Sequence, residues 1–196
     1  MNFSIYQLKP KFQRLLQPVL VVLARHGVTP NQVTVLAMML SILYGSALAF
    51  FPAQWQLWLG LPFVMFLRMA LNALDGMLAN FTGQKTKLGT TLNEIGDQIS
   101  DAALLLPFAL VLGLYAPLVI VVVFFALLVE FAGVLAVLTG SARRFEGPMG
   151  KSDRAFAFGL MGVLIAVDVN PAWLNGLLLL ILLLLIWTLF NRLKQE

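Results

Sequence analysis

Residues 27–67 contain no Asp, Glu, Lys or Arg. These 41 positions are twice the roughly 20 mostly apolar residues that one bilayer crossing takes. Phe51-Pro52-Ala53-Gln54 supplies a turn between the two halves. Residues 102–142 repeat the pattern, interrupted only by Glu130 and broken at Leu114-Tyr115-Ala116-Pro117. So do residues 155–191, interrupted only by Asp168 and broken at Asp168-Val169-Asn170-Pro171. Three such hairpins predict an all-α membrane protein with six transmembrane helices, over 31–51, 55–80, 90–113, 117–139, 153–168 and 172–191. The second and third spans run on into the polar stretch 68–101, which keeps helical spacing.

Composition closes the other routes. The chain is 60% hydrophobic and 11% charged, whereas soluble domains average about 45–50% apolar and about 25% charged. It has no cysteine, which excludes disulfide scaffolds and thiolate sites, and its one histidine, His26, argues against multi-histidine metal sites and Ser-His triads. A net charge of +4 on so apolar a chain points away from nucleic-acid binding and toward membrane topology. Apart from Arg68, the basic residues lie in 9–25, 85–87, 143–154 and 192–194, all on one side of a six-helix threading. By the positive-inside rule both termini are expected in the cytoplasm. Trp55, Trp58 and Trp173 are expected as an aromatic belt at the opposite interface.

Residues 1–26 read as a juxtamembrane segment. Leu8, Phe12, Leu15, Leu16 and Val19 recur at helical spacing with Lys9, Lys11 and Arg14 between them. This predicts an interfacial amphipathic helix on an anionic leaflet. The short apolar run before Arg25 lacks the cleavage context of a signal peptide. With no fixed-period repeat or linker, residues 1–196 are expected to form one domain.

Ionisable residues in hydrocarbon are costly and usually functional. Four acidic residues fall within 75–101: Asp75, Glu94, Asp97 and Asp101. Asn72 and Asp75 are three apart on the second span, and Asn93, Asp97 and Asp101 four apart on the third, so each set shares a helix face. A short loop makes the two spans antiparallel neighbours whose polar faces can meet. Oxygen donors without His or Cys suit a hard cation, Mg²⁺ or Mn²⁺.

At these residues the chain resembles the CDP-alcohol phosphatidyltransferase family, whose signature is Asp-x2-Asp-Gly-x2-Ala-Arg-x8-Gly-x3-Asp-x3-Asp. Here the string reads Asn72-Ala-Leu-Asp75-Gly76-Met-Leu-Ala79-Asn80, eight residues, then Gly89-Thr-Thr-Leu-Asn93-Glu-Ile-Gly-Asp97. Every spacing fits. Asn72, Asn80 and Asn93 replace two aspartates and an arginine of the pattern. Thr29-Pro30-Asn31-Gln32-Val33-Thr34 at the first span also resembles the family, as does the six-helix core.

The resemblance implies attack by an acceptor hydroxyl on CDP-diacylglycerol with release of CMP, in phospholipid synthesis. It implies Asp97 as general base and metal ligand, and Asp75, Asn72, Asn93 and Asp101 as further candidate ligands. Asn72, Gly76, Ala79, Asn80 and Gly89 become the nucleotide contacts. The basic block 143–154 faces the acceptor in the family, so Lys151, Arg154 and Arg144 are the acceptor contacts, with glycerol 3-phosphate as first candidate. The family further implies a homodimer in a bacterial inner membrane, with the site on the cytoplasmic side.

Two asparagines bring no charge, so the motif carries two negative charges where the family pattern carries four. Three accounts stay open: Asp101, with Glu94, makes up the deficit one turn deeper; one cation binds tightly and a second arrives with the nucleotide; or catalysis is lost. The rival function is a degenerate CDP-lipid-binding or scaffold protein. Arg68 either orients the Asn72–Asp75 face or, the favoured expectation, pairs with Glu130. His26 and Asp168 are expected to take no part in chemistry, and Gly159 and Gly162 to serve helix packing.

Overall fold

A computed structural model describes residues 9–194; among them the chain is helical, with no strand. Seven helices follow one another: α1 (Lys9–Arg25), α2 (Pro30–Phe50), α3 (Trp55–Phe81), α4 (Lys87–Leu105), α5 (Ala116–Leu138), α6 (Lys151–Ala166) and α7 (Pro171–Leu193).

Their starts are written in the local sequence. Thr29 and Gln32 cap α2 reciprocally, and Pro30 occupies its first turn, where a missing N–H costs nothing. The Thr86 hydroxyl accepts from the Gly89 amide to begin α4, and the Asn170 side chain accepts from Ala172 N ahead of α7. The three hairpin turns fall where the uncharged stretches are broken. The expected span 90–113 is shorter in the structure: α4 ends at Leu105 and a tighter 3₁₀ turn, Leu106–Leu110, follows. Pro107 explains the stop, since it has no N–H with which to continue the α-helix.

Four helices, α2, α3, α5 and α7, are long and apolar enough to cross a membrane. The other two predicted spans differ: α4 carries Lys87, Glu94, Asp97 and Asp101, and α6 has only 16 residues.

Small residues set the helix spacing. A Cβ on Gly162 would lie 2.7 Å from the Trp58 carbonyl oxygen, and one on Gly159 would lie 3.3 Å from Pro62 Cα, so α6 packs directly on the α3 backbone as the sequence suggests. Gly45 brings α2 against the backbone at Ala103 of α4. Trp58, Phe108 and Phe158 stack edge to face at 4.8 and 5.1 Å in the core. Trp58 therefore does not join the predicted aromatic belt. It is 1% exposed, and its indole N–H donates to Pro52 O. Trp55 and Trp173 are exposed.

Helix α1 covers the segment where the amphipathic helix is expected, and part of the predicted stripe packs inside the bundle. Phe12 meets Phe66 of α3, and Leu16, Leu20 and Leu23 pack with Val33, Leu74 and Leu78. Leu15 and Val19 stay exposed. Leu8 lies outside the described residues.

Candidate active site between α3 and α4

The C-terminal part of α3 meets the beginnings of α2, α4 and α6 at one end of the bundle. Thr34 on the first turn of α2 donates its hydroxyl to Asp75 Oδ2 at 2.8 Å. The other oxygen, Oδ1, accepts from the Gly76 amide at 2.6 Å. Asp75 is buried and fixed by these donors. Two amides cross between helices: Asn72 Nδ2 on α3 donates to Asp97 Oδ1 on α4 at 2.7 Å, and Asn93 Nδ2 on α4 approaches Asp75 Oδ2 at 3.5 Å. Lys151, at the start of α6, forms an ion pair with Asp97 Oδ2. The four polar positions read from the spacing thus converge, with Lys151 as a fifth.

Neighbouring motif positions divide. A Cβ on Gly76 would meet nothing within 4 Å, so that stretch of α3 borders open space beside Asp75. Gly89 differs: a Cβ there would lie 2.8 Å from Asn31 Oδ1 and 3.0 Å from Thr86 Oγ1. Its smallness serves the helix cap. Asn80 is exposed and donates to Gly76 O within its own helix, and Ala79 is half-buried.

One turn below Asp97 the character changes. Arg68 Nη1 lies 2.6 Å from Asp101 Oδ1, while its Nη2 donates to the Asp97 carbonyl oxygen at 3.1 Å. Arg154 Nη2 takes the other Asp101 oxygen at 2.7 Å and its Nη1 reaches Glu130 at 3.1 Å. Glu130 also meets Arg192 and Arg143, each at 3.4 Å. Arg143 pairs in addition with Glu94. Arg68, Asp101, Glu130, Arg154 and Arg192 are each at most 6% exposed.

This network departs from three sequence expectations. Arg68 pairs with Asp101 rather than Glu130. Asp101, a candidate metal ligand, has both carboxylate oxygens on guanidinium groups. Arg154, a candidate acceptor contact, is enclosed between two carboxylates. Arg144 instead points its guanidinium at the backbone carbonyls of Arg192 and Lys194. Arg192 was legible only as a topology charge, and Thr34 only as the hydroxyl of the Pro-Asn segment; neither spacing shows its partner.

The donor set fits a hard divalent cation. Asp75 and Asp97 bring anionic oxygen and Asn72 and Asn93 bring amide carbonyls, with no sulfur or imidazole. Among the described residues no group of three or more His, Cys, Asp or Glu gathers around one point. With two carboxylates alone, an ion held here would draw its remaining ligands from water and substrate phosphate oxygens, as magnesium does.

A family model for CDP-alcohol phosphatidyltransferases matches residues 27–190. The chain belongs to that family. It is 50% identical to inner membrane protein YnbA of Escherichia coli over 98% of this chain and 96% of that protein. Archaetidylinositol phosphate synthase of Pyrococcus horikoshii is 34% identical over 53% of each chain. Phosphatidylinositol phosphate synthase of Corynebacterium glutamicum is 34% identical over 47% of this chain and 40% of that one. Among solved structures, Mycobacterium tuberculosis phosphatidylinositol phosphate synthase with CDP-DAG bound superposes with a TM-score of 0.75 at 21% identity, covering 92% of each chain. The same protein in complex with manganese and citrate gives 0.74 at 21% identity, over 90% of this chain and 86% of that one. The phosphatidyltransferase fold is thus shared across nearly the whole chain.

Proposed function

We propose that this protein transfers the phosphatidyl group of CDP-diacylglycerol to a polar hydroxyl acceptor and releases CMP. The observation that carries this reading is the meeting of Asp75 and Asp97 across α3 and α4, with Asn72 and Asn93 interleaved. Asp97 takes the proton of the acceptor hydroxyl as its oxygen bonds to the lipid-side phosphorus and the bond to CMP breaks. Asp75, Asp97, Asn72 and Asn93 would hold the divalent cation. When bound, that cation neutralises the pyrophosphate and the charge gathering on the departing nucleotide oxygen. The open surface at Gly76 gives the cytidine nucleotide room beside the helix backbone, with Ala79 and Asn80 one turn along.

Asp101 and Arg154 act behind this site: their mutual ion pair ties α4 to α6 and holds Asp97 and Lys151 in register. The acceptor enters beside Lys151 and Arg144. Glycerol 3-phosphate is the first acceptor to try. Six crossings, a homodimer, and an inner-membrane location with the site and both termini on the cytoplasmic side complete the reading. The placement of the basic residues supports that orientation.

The test is CMP release from CDP-diacylglycerol by the purified full-length protein, screened across glycerol 3-phosphate, inositol phosphate, inositol and serine with Mg²⁺ and Mn²⁺. Transfer to one acceptor is the expected result. A second reading is a degenerate CDP-lipid-binding or scaffold protein, since Asn72, Asn80 and Asn93 stand where the family pattern has two carboxylates and an arginine. Tight CDP-diacylglycerol binding with no CMP release from any acceptor establishes that alternative.

A further inference from the structure

The following rests on the phosphatidyl-transfer reading and concerns how this chain, in particular, balances charge at the cation site. We infer that the site holds a single divalent cation, and that Lys151 supplies the positive charge that a second cation would otherwise bring.

Three observations lead there. First, the two asparagines are arranged reciprocally. Each helix contributes one amide and one carboxylate, and each amide N–H₂ faces the carboxylate of the other helix, Asn72 on Asp97 at 2.7 Å and Asn93 toward Asp75 at 3.5 Å. Where four carboxylates would repel and require two dications, amide donors here join the helices directly. Second, Lys151 already stands on Asp97 Oδ2. Asp75, Asp97 and Lys151 together leave one net negative charge, which one dication more than neutralises. Third, the other two acidic side chains of α4 already stand on cations. Asp101 has Arg68 at 2.6 Å and Arg154 at 2.7 Å, and Glu94 is paired with Arg143.

Ligand supply agrees with charge. Asp75 Oδ2 accepts from Thr34 and Oδ1 from Gly76 N, and one oxygen of Asp97 faces an ammonium. Few anionic lone pairs remain to bridge two ions, and close dications repel steeply in a partly dehydrated site. A lone cation using water and pyrophosphate oxygens asks for no more than the site provides.

Counting bound Mn²⁺ by electron paramagnetic resonance on the full-length protein in nanodiscs, with and without CDP, tests this without reference to turnover. The native protein is expected to saturate at one Mn²⁺ per chain in both conditions, and Asn72→Asp with Asn93→Asp at two. Lys151→Gln, at a partly exposed position, is expected to tighten Mn²⁺ binding about tenfold by removing a neighbouring cation. It serves as the second arm if the double variant fails to fold. Two ions on the native chain, or an unchanged Mn²⁺ affinity in Lys151→Gln, overturns the one-cation inference and leaves the transferase reading intact. No Mn²⁺ bound even with CDP overturns both.

Discussion

Asp97 and Asp101 sit one helical turn apart on the same face of α4, yet they live in opposite electrostatic company. Asp97 is held by an amide, a lysine and a more distant guanidinium at 3.7 Å, and remains 13% exposed. Asp101 is clasped by two guanidinium groups and closed off from the surface. A carboxylate matched by fixed cations stabilises helix packing, because removing either partner leaves a buried charge uncompensated. A carboxylate matched by one amide and one partly exposed lysine is, on the proposed reading, the one open to an incoming cation. Depth within a single polar stripe thus separates two electrostatic settings, which the proposed function assigns to chemistry and to architecture.

The sharpest way to break this contrast is to neutralise each residue in turn. Asp97→Asn is expected to lower CMP release by about 10²–10⁴-fold, the usual range for a lost general base, with little change in thermal unfolding. Retention of native turnover would remove Asp97 from the chemistry. Asp101→Asn is expected to do the reverse, costing about 3–5 kcal/mol of stability as Arg68 and Arg154 lose their shared counter-ion, read as a lowered unfolding temperature in detergent. If Asp101→Asn instead folds like the native protein and only raises the Mn²⁺ requirement, Asp101 is a metal ligand and the two turns of α4 are not different in kind.

A smaller effect sharpens the architectural side. Arg192 donates to Val129 O at 2.8 Å and meets Glu130 at 3.4 Å, but Glu130 keeps Arg154 and Arg143 when Arg192 is gone. Arg192→Met is therefore expected to cost about 1–3 kcal/mol, less than Asp101→Asn, in the same unfolding measurement. A cost equal to or above that of Asp101→Asn would place the keystone of the network at Glu130 instead.

Much of this molecule is readable in advance because local chemistry writes it. The prolines at 30, 107, 117 and 171 mark helix starts or stops. The three- and four-residue spacings of Asn72 with Asp75 and Asn93 with Asp97 put each pair on one face of its helix. Partner choice among buried charges is a different problem. Arg68 reaches Asp101 and not Glu130 because of how the helices are stacked, and Gly45, Gly159 and Gly162 set part of that spacing. Trp58 shows the same limit: its position fits an interface belt, but the turn at Pro52 provides a carbonyl for its N–H and draws the ring into the core. Periodicity fixes the face of a helix; it leaves open which neighbour that face meets.

The mildest prediction concerns Thr34, the residue that joins α2 to Asp75 of the proposed cation site. Its hydroxyl is shared between Asp75 Oδ2 at 2.8 Å and the Pro30 carbonyl at 3.2 Å, so it donates to one and is oriented by the other. Thr34→Val keeps the shape and the β-branch while removing the donor. One hydrogen bond to a charged group contributes about 1.5–3 kcal/mol at most, and Asp75 retains Gly76 N and Asn93. The expected change is thus a Mn²⁺ affinity altered by several-fold, with unfolding nearly unmoved. The sign is informative. If Thr34 orients the Asp75 carboxylate toward the ion, affinity falls in Thr34→Val; if it chiefly disperses that carboxylate's charge, affinity rises, because an unshared oxygen is the stronger ligand. The rigid backing of Asp75 by α2, and the reciprocal amide on its other side, favour the fall.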